Sequence, residues 1–289
     1  MGAELVAAAP WWAWPLALFV VCFFLGIVSV PAGVGGGVLF VPIVAGFFPF
    51  HLDFVRGAGL LVALSGALAA APRLLDGGLA NLRLALPLAL VASTSSIGGA
   101  MLGLALPSRM VEVMLGVTIL GIVAVMASAK NSEYPQVSQP DRLSQALGLH
   151  GIFRDSATGR EMPWQAHRTP MALVIFVGIG ILAGMFGLGA GWANLPTLNL
   201  VMGIPLKVSA GTSGLILSLV DSSAAWVYLN QGAVLPIIAA PSVIGMMLGA
   251  RIGARVLQVV RAIVIRRLVI ALLLFAGARA LAKGLGLWN

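Results

Sequence analysis

The chain has 289 residues, 60% of them hydrophobic and only 9% charged, with a mean hydropathy of +1.04. Soluble domains carry about 45–50% apolar and about 25% charged residues, so this composition defines a membrane protein and excludes soluble enzymes. The net charge of +8 sits between apolar segments, as basic loops facing a cytoplasm do, and not on a nucleic-acid surface. Cys22 is the single cysteine, which excludes disulfide scaffolds and dithiol carriers, and the scattered His51, His150 and His167 exclude a His-rich metal site.

The first residues lack the basic n-region of a secretory signal, so no cleavage is expected. Trp11, Trp12 and Trp14 precede Leu16 and suit an anchor at headgroup level, since indole combines an apolar body with one donor. A helix crosses the hydrocarbon in about 17–25 apolar residues. On that measure the segments fall at 16–48, 57–75, 84–106, 110–129, 171–203, 208–229, 233–250 and 268–287. The first and fifth are too long for one span. They are interrupted by Val30-Pro31-Ala32-Gly33-Val34-Gly35-Gly36-Gly37 and by Gly184-Met185-Phe186-Gly187-Leu188-Gly189-Ala190-Gly191, which predicts broken helices.

Between them, Lys130 to Pro170 is polar, with both charge signs, and reads as a solvent-exposed linker. The expected units are therefore an N-terminal membrane repeat (1–129), a cytoplasmic linker (130–170) and a C-terminal membrane repeat (171–289). Adding 154 to Gly33, Gly35, Gly37, Pro42, Gly57, Gly78, Pro87 and Gly99 lands on Gly187, Gly189, Gly191, Pro196, Gly211, Gly232, Pro241 and Gly253 without a gap. This register is the signature of an internal repeat.

Charge tests the topology. If both broken segments re-enter, only Arg56, Arg109, Arg279 and Lys283 lie outside. Arg73, Arg83, the linker's basic residues, Lys207, Arg251, Arg255, Arg261, Arg266 and Arg267 then lie inside. Eight full spans would divide the basic residues almost evenly, so the positive-inside rule favours re-entrance. Three crossings per half then invert the second half relative to the first. The expected fold is an all-α polytopic membrane protein with an inverted-topology repeat, the plan by which secondary transporters expose a midplane site to either side.

Backbone at membrane depth must face protein or a wet cavity. The Gly runs are therefore expected to line a cavity, with helix N-termini resuming near Val38 and Trp192 that suit an anion. The expected substrate-binding residues are Gly33, Gly35, Gly36, Gly37, Gly187, Gly189, Gly191, Asn194, Thr212 and Ser213. Asn199, Ser218, Ser222 and Ser223 are further neutral donors, although Ser and Thr in membrane helices often bond their own backbone. Asp221 lies well inside an apolar segment, where an ionised acid costs about 2.5–3.5 kcal/mol. Two readings stand: a proton-coupling group, or a neutral acid bonded to Ser218 or Ser222. Arg56 and Lys207 nearly superpose in the repeat and read either as anion lures at the two entrances or as interfacial snorkelling. The Gly98-Gly99 and Gly103 face serves either packing within the chain or a homodimer contact.

The pattern Gly33-x-Gly35-Gly36-Gly37-x4-Pro42 has its copy in Gly187-x-Gly189-x-Gly191-x4-Pro196. With Gly211-Thr212-Ser213 and Gly249-Ala250-Arg251-Ile252-Gly253-Ala254-Arg255, it resembles the sulfite exporter TauE/SafE family over about 250 residues. The resemblance implies a multi-pass permease of the bacterial inner membrane for sulfite, organosulfonates or related sulfur-containing anions, driven by an ion gradient. The partners expected are a small anion, membrane lipids and protons, with no cofactor, metal or nucleic acid. The first half departs from the family with Gly57-Ala58-Gly59, where a hydroxyl residue is usual after the first Gly, and Asp221 is an unusual acid. An anion channel and a non-transporting assembly subunit are the competing readings. A lipid-acting enzyme is disfavoured because Asp53, Asp76 and Asp221 lack catalytic partners in the sequence.

Overall fold

A computed structural model describes residues 10, 12–32, 35–76, 80–128, 135, 139–154, 161–256 and 262–286. Trp11, Gly33, Gly78, Lys130, Arg160 and Arg261 lie outside the described residues.

Hydrocarbon offers no hydrogen bonds, so apolar segments satisfy their backbone as helices. The first half folds as α1 (Ala13–Ala32), α2 (Gly36–Phe47), α3 (Leu52–Asp76), α4 (Leu82–Ala105) and α5 (Ser108–Ser128). After the polar segment come α7 (Thr169–Phe186), α8 (Gly191–Pro196) running into a π-helical turn (Thr197–Val201), α9 (Leu206–Asn230), α10 (Pro236–Val256) and α11 (Ala262–Gly284). Six helices among the described residues are long and apolar enough to cross a membrane, namely the α3, α4, α5, α7, α9 and α10 stretches. The protein is an all-α, multi-pass membrane protein. The 154-residue spacing holds in the helices: shifting α3 gives the bounds of α9, and the starts of α4 and α5 shift onto those of α10 and α11.

The packing repeats as well. Helix α1 lies along α10, and α7 lies along α4. Added Cβ atoms locate the contacts. One on Gly26 would fall 2.7 Å from the Met246 carbonyl oxygen, and its 154-shifted counterpart on Gly180 would fall 2.2 Å from that of Ala92. Gly253 against Ile27 likewise mirrors Gly99 against Ile181. Only glycine admits such backbone approach, which is how helices associate where lipid removes the hydrophobic drive. Contacts rise in register along both pairs (Gly245 on Phe19, Gly249 on Phe23; Gly180 on Ala92, Gly184 on Ser96), so these helices run parallel. Helices α5 and α11 run antiparallel, with Gly284 on Val113, Gly116 on Leu281 and Gly277 on Ile119. The Gly99 and Gly103 face is thus occupied within the chain, while Gly98 is exposed.

Each broken segment also ends beside its own start. Trp14, at the start of α1, makes edge contacts with Phe48 and Phe50 just past α2. The His167 N–H, just before α7, donates to the Met202 carbonyl just past the π turn at 3.1 Å.

The polar segment is more structured than its composition suggests. It holds a one-turn helix α6 (Arg142–Ala146) and an antiparallel hairpin, β1 (His150–Arg154) with β2 (Glu161–Gln165). Leu149, Trp164 and Ala166 are buried with Met202 and Ile204 of the second half, so part of the linker is packed rather than solvated. Asp141 accepts from the Ser144 N–H and from both the N–H and hydroxyl of Thr169, which joins α6 to the first turn of α7. Burial pushes the Asp141 carboxyl up, but the hydrogen bonds from Thr169 and Ser144 outweigh it and leave it below the ordinary aspartate value.

Candidate substrate and ion site

The two breaks meet at the centre of the protein. Gly35 has φ +80°, and Gly187 and Gly189 have φ +66° and +73°, backbone that L side chains adopt at a cost. A Cβ on Gly35 would lie 3.8 Å from the Gly191 Cα, and one on Gly37 would lie 2.6 Å from the Leu188 carbonyl oxygen. Of the expected residues, Gly35, Gly37, Gly189 and Gly191 are therefore brought together, with Leu188 between them. The helices resume at Gly36 and Gly191, slightly earlier than the sequence suggested. Gly36 is buried beneath the side chain of Met246, so the start of α2 is covered.

Asp221 faces this junction from α9. It is fully buried, and a Cβ on Gly189 would sit 3.0 Å from its Oδ2 and 3.0 Å from the Ala63 Cβ. The Ala190 N–H is the backbone donor that acts on it. That donor does not complete a hydrogen bond by distance and angle, and neither carboxylate oxygen has another partner among the described residues. The alternative of a bond to Ser218 or Ser222 fails. Those hydroxyls donate to Leu215 and Ser218 carbonyls of their own helix, and Ser223 does the same to Leu219. A hydroxyl one turn along a helix finds the preceding carbonyl nearer than any side chain.

Asn194 is fully buried in α8, and its Nδ2 and Oδ1 both lack partners among the described residues; the Trp192 Nε1 is likewise buried and unpartnered. A buried polar group left without a partner costs about 1–3 kcal/mol. Trp192, Asn194 and Asp221 are thus buried polar side chains without a partner among the described residues, the kind of group that calls for an explanation beyond packing. Trp192 was expected only as the point where the helix resumes and not for its indole N–H, although its place directly after Gly191 was the available signal. One expected donor serves the scaffold instead, and another is tied to it as an acceptor. The Thr212 hydroxyl accepts from the Asn81 N–H at 3.2 Å, and Asn199 donates to the Ile204 carbonyl at 2.8 Å. Ser213 is buried one residue further along α9. Ser96 bridges to the Val220 carbonyl, joining α4 to α9 next to Asp221.

Arg56 differs most from expectation. Its side chain is 1% exposed, so it neither lures ions at an entrance nor snorkels. Its Nη1 donates to the Gly103 and Met185 carbonyls at 3.0 and 2.9 Å, and its Nη2 pairs with Asp53.

Fold and junction together define a multi-pass membrane protein built around two glycine-broken helices with the buried Asp221 carboxyl at their meeting point. The profile of the family Sulfite exporter TauE/SafE matches residues 18–280. The chain belongs to that family, a family of membrane transporters. Comparison with curated proteins and with solved structures gave no match.

Proposed function

We infer that the protein is a secondary transporter of the bacterial inner membrane. Its proposed cargo is a small sulfur-containing oxyanion, sulfite or an organosulfonate, moved by alternating access at the junction of the two breaks. The observation that carries this reading is the buried Asp221 carboxyl beside Gly189, with the unpartnered Trp192 Nε1 and Asn194 amide in α8, the helix that starts at Gly191 directly after that break. Neutral N–H donors suit an oxyanion, because they solvate it without the tight trapping of a paired cation. Glycine at positions 35, 37, 187, 189 and 191 lets the cargo approach backbone donors. Asp221 is the coupling group: protonated it donates to the anion, and its proton travels with the cargo cycle.

The alternating-access part rests on symmetry. Equivalent helices α5 and α11 are antiparallel, and contacts of α1 with α10 are exchanged for contacts of α7 with α4. A two-fold axis perpendicular to the helices accounts for both, which supports an inverted repeat of 1–129 and 171–289, and the charge distribution is what favours a cytoplasmic linker between them. The return of each broken segment to its own start supports re-entrance. Two such halves exchange conformations at little cost, which is the advantage of a carrier over a channel.

The test is counterflow of sulfite, thiosulfate and a short organosulfonate in proteoliposomes, with pH varied and Asp221→Asn alongside. Saturable counterflow by wild type is expected, with proton-driven accumulation lost in Asp221→Asn. Absence of exchange for every anion in verified folded protein overturns the cargo assignment, and flux that does not saturate or show counterflow identifies a channel.

A further inference from the structure

Arg56 has a place in the structure that the cargo site does not use. It projects from the first turns of α3 and joins four elements. Its Nη1 reaches Gly103 near the end of α4 and Met185 near the end of α7, and its guanidinium lies over the Tyr228 ring of α9, 5.8 Å from the centroid. The Tyr228 hydroxyl donates to Gly184 and Met185 carbonyls at 3.1 and 3.2 Å. The last carbonyls of α7 have no partner within the helix and carry partial negative charge, which a cation and a hydroxyl satisfy. Two glycines make the room. A Cβ on Gly103 would come within 2.8 Å of Arg56 Nη1, and one on Gly187 would come within 2.3 Å of the Arg56 carbonyl oxygen. On the solvent side Arg56 pairs with Asp53, whose Oδ2 lies 3.4 Å from Nδ1 of the exposed His51.

The internal repeat makes this cluster one-sided. Shifted by 154 residues, Arg56 falls on Ala210 and Tyr228 corresponds to Leu74, so neither residue is repeated at its equivalent position, and Ala210 is exposed where Arg56 is buried. We propose that Arg56 is the positioning residue of a gate: by holding the α7 end to α3, α4 and α9, it keeps the junction closed toward the face bearing the α2–α3 loop, and its bonds to Met185 and Gly103 break when that face opens. The proposal rests on the transport reading given above. Arginine suits the task because its rigid fork binds several carbonyls at once, and because a buried guanidinium leaves its partners all together or not at all.

The experiment reads accessibility in substrate-free protein, so it does not depend on the cargo. Leu60 is fully buried directly under the pin, packed with Ala224 and Tyr228. In a Cys22→Ala background, Leu60→Cys is labelled with a membrane-impermeant maleimide from each face of oriented vesicles. With Arg56 present, labelling from the α2–α3 face is slow. Arg56→Gln is expected to raise it at least tenfold from that face only, with Arg56→Lys intermediate because an ammonium lacks the fork. Asp53→Asn leaves the guanidinium and its carbonyl partners in place and removes only the outer ion pair. It is expected to give a smaller one-sided rise, and it decides the matter if Arg56→Gln does not fold. Unchanged labelling in a folded variant, or an equal rise from both faces, overturns the gate. Absent counterflow with one-sided labelling intact instead refutes the cargo assignment alone.

Discussion

The sharpest test of the junction is Gly189→Ala. Gly189 sits at φ +73°, and an L residue in the left-handed region costs about 1–2 kcal/mol. The new methyl would also lie 3.0 Å from the Ala63 Cβ and 3.0 Å from Asp221 Oδ2. Overpacking of a filled interior costs about 1–3 kcal/mol. Because these neighbours need yield only by tenths of an ångström, the low end applies, and the total expected is about 2–3 kcal/mol. The carboxyl is the neighbour with most freedom to move, so displacement of Asp221 is the expected response, and counterflow and its pH dependence fall together. The comparator is Gly178→Ala in α7, where a Cβ meets nothing within 4 Å. A helix interior gains about 0.5–1 kcal/mol from that change, so its melting midpoint in detergent is expected to rise with counterflow intact. If Gly189→Ala matches Gly178→Ala in both midpoint and counterflow, the junction is neither filled nor coupled to transport, and the reasoning fails.

Two further outcomes are expected. Gly180→Ala and Gly26→Ala place a methyl 2.2 and 2.7 Å from backbone oxygens of the neighbouring helix, so both lower the midpoint, Gly180→Ala by more; an equal or absent loss removes the close-packed α4–α7 and α1–α10 contacts from the account. The folded carboxyl of Asp141 titrates below the unfolded one, so its caps on α6 and α7 contribute fully above the ordinary aspartate range and are lost as pH falls through the folded value. Faster hydrogen exchange of the 142–150 amides at pH 3 than at pH 7, after correction for intrinsic rates, is the expected sign. Asp141→Ala should abolish that pH dependence at a cost of about 0.5–2 kcal/mol.

The 154-residue spacing, the positions of both breaks and the family were legible from residues alone because glycine and proline are backbone statements. Gly35, Gly187 and Gly189 mark positive φ, and a 154-residue shift of such residues carries backbone geometry with it. Asp221 was legible as well, since an acid in an apolar run is conspicuous whatever surrounds it. What a polar side chain bonds to was not legible. Arg56 and Lys207 look alike in the sequence, yet Arg56 is buried against carbonyls that arrive from 47 and 129 residues away. Asn199 looks like a substrate donor, yet its amide donates to the Ile204 carbonyl, while the Asn194 amide and Trp192 Nε1 have no partner among the described residues.

The sequence by itself therefore determined that the chain lives in a membrane, that glycine and proline recur at a spacing of 154 residues, and where the long apolar segments must break. These are properties of composition and of local backbone freedom. Only the tertiary structure decided which buried polar groups remain without partners among the described residues, that the two breaks touch, and that the end of α7 is held by the Arg56 guanidinium. Those properties depend on atoms far apart in the chain, and whether a donor is satisfied is settled by what packing brings within about 3 Å of it.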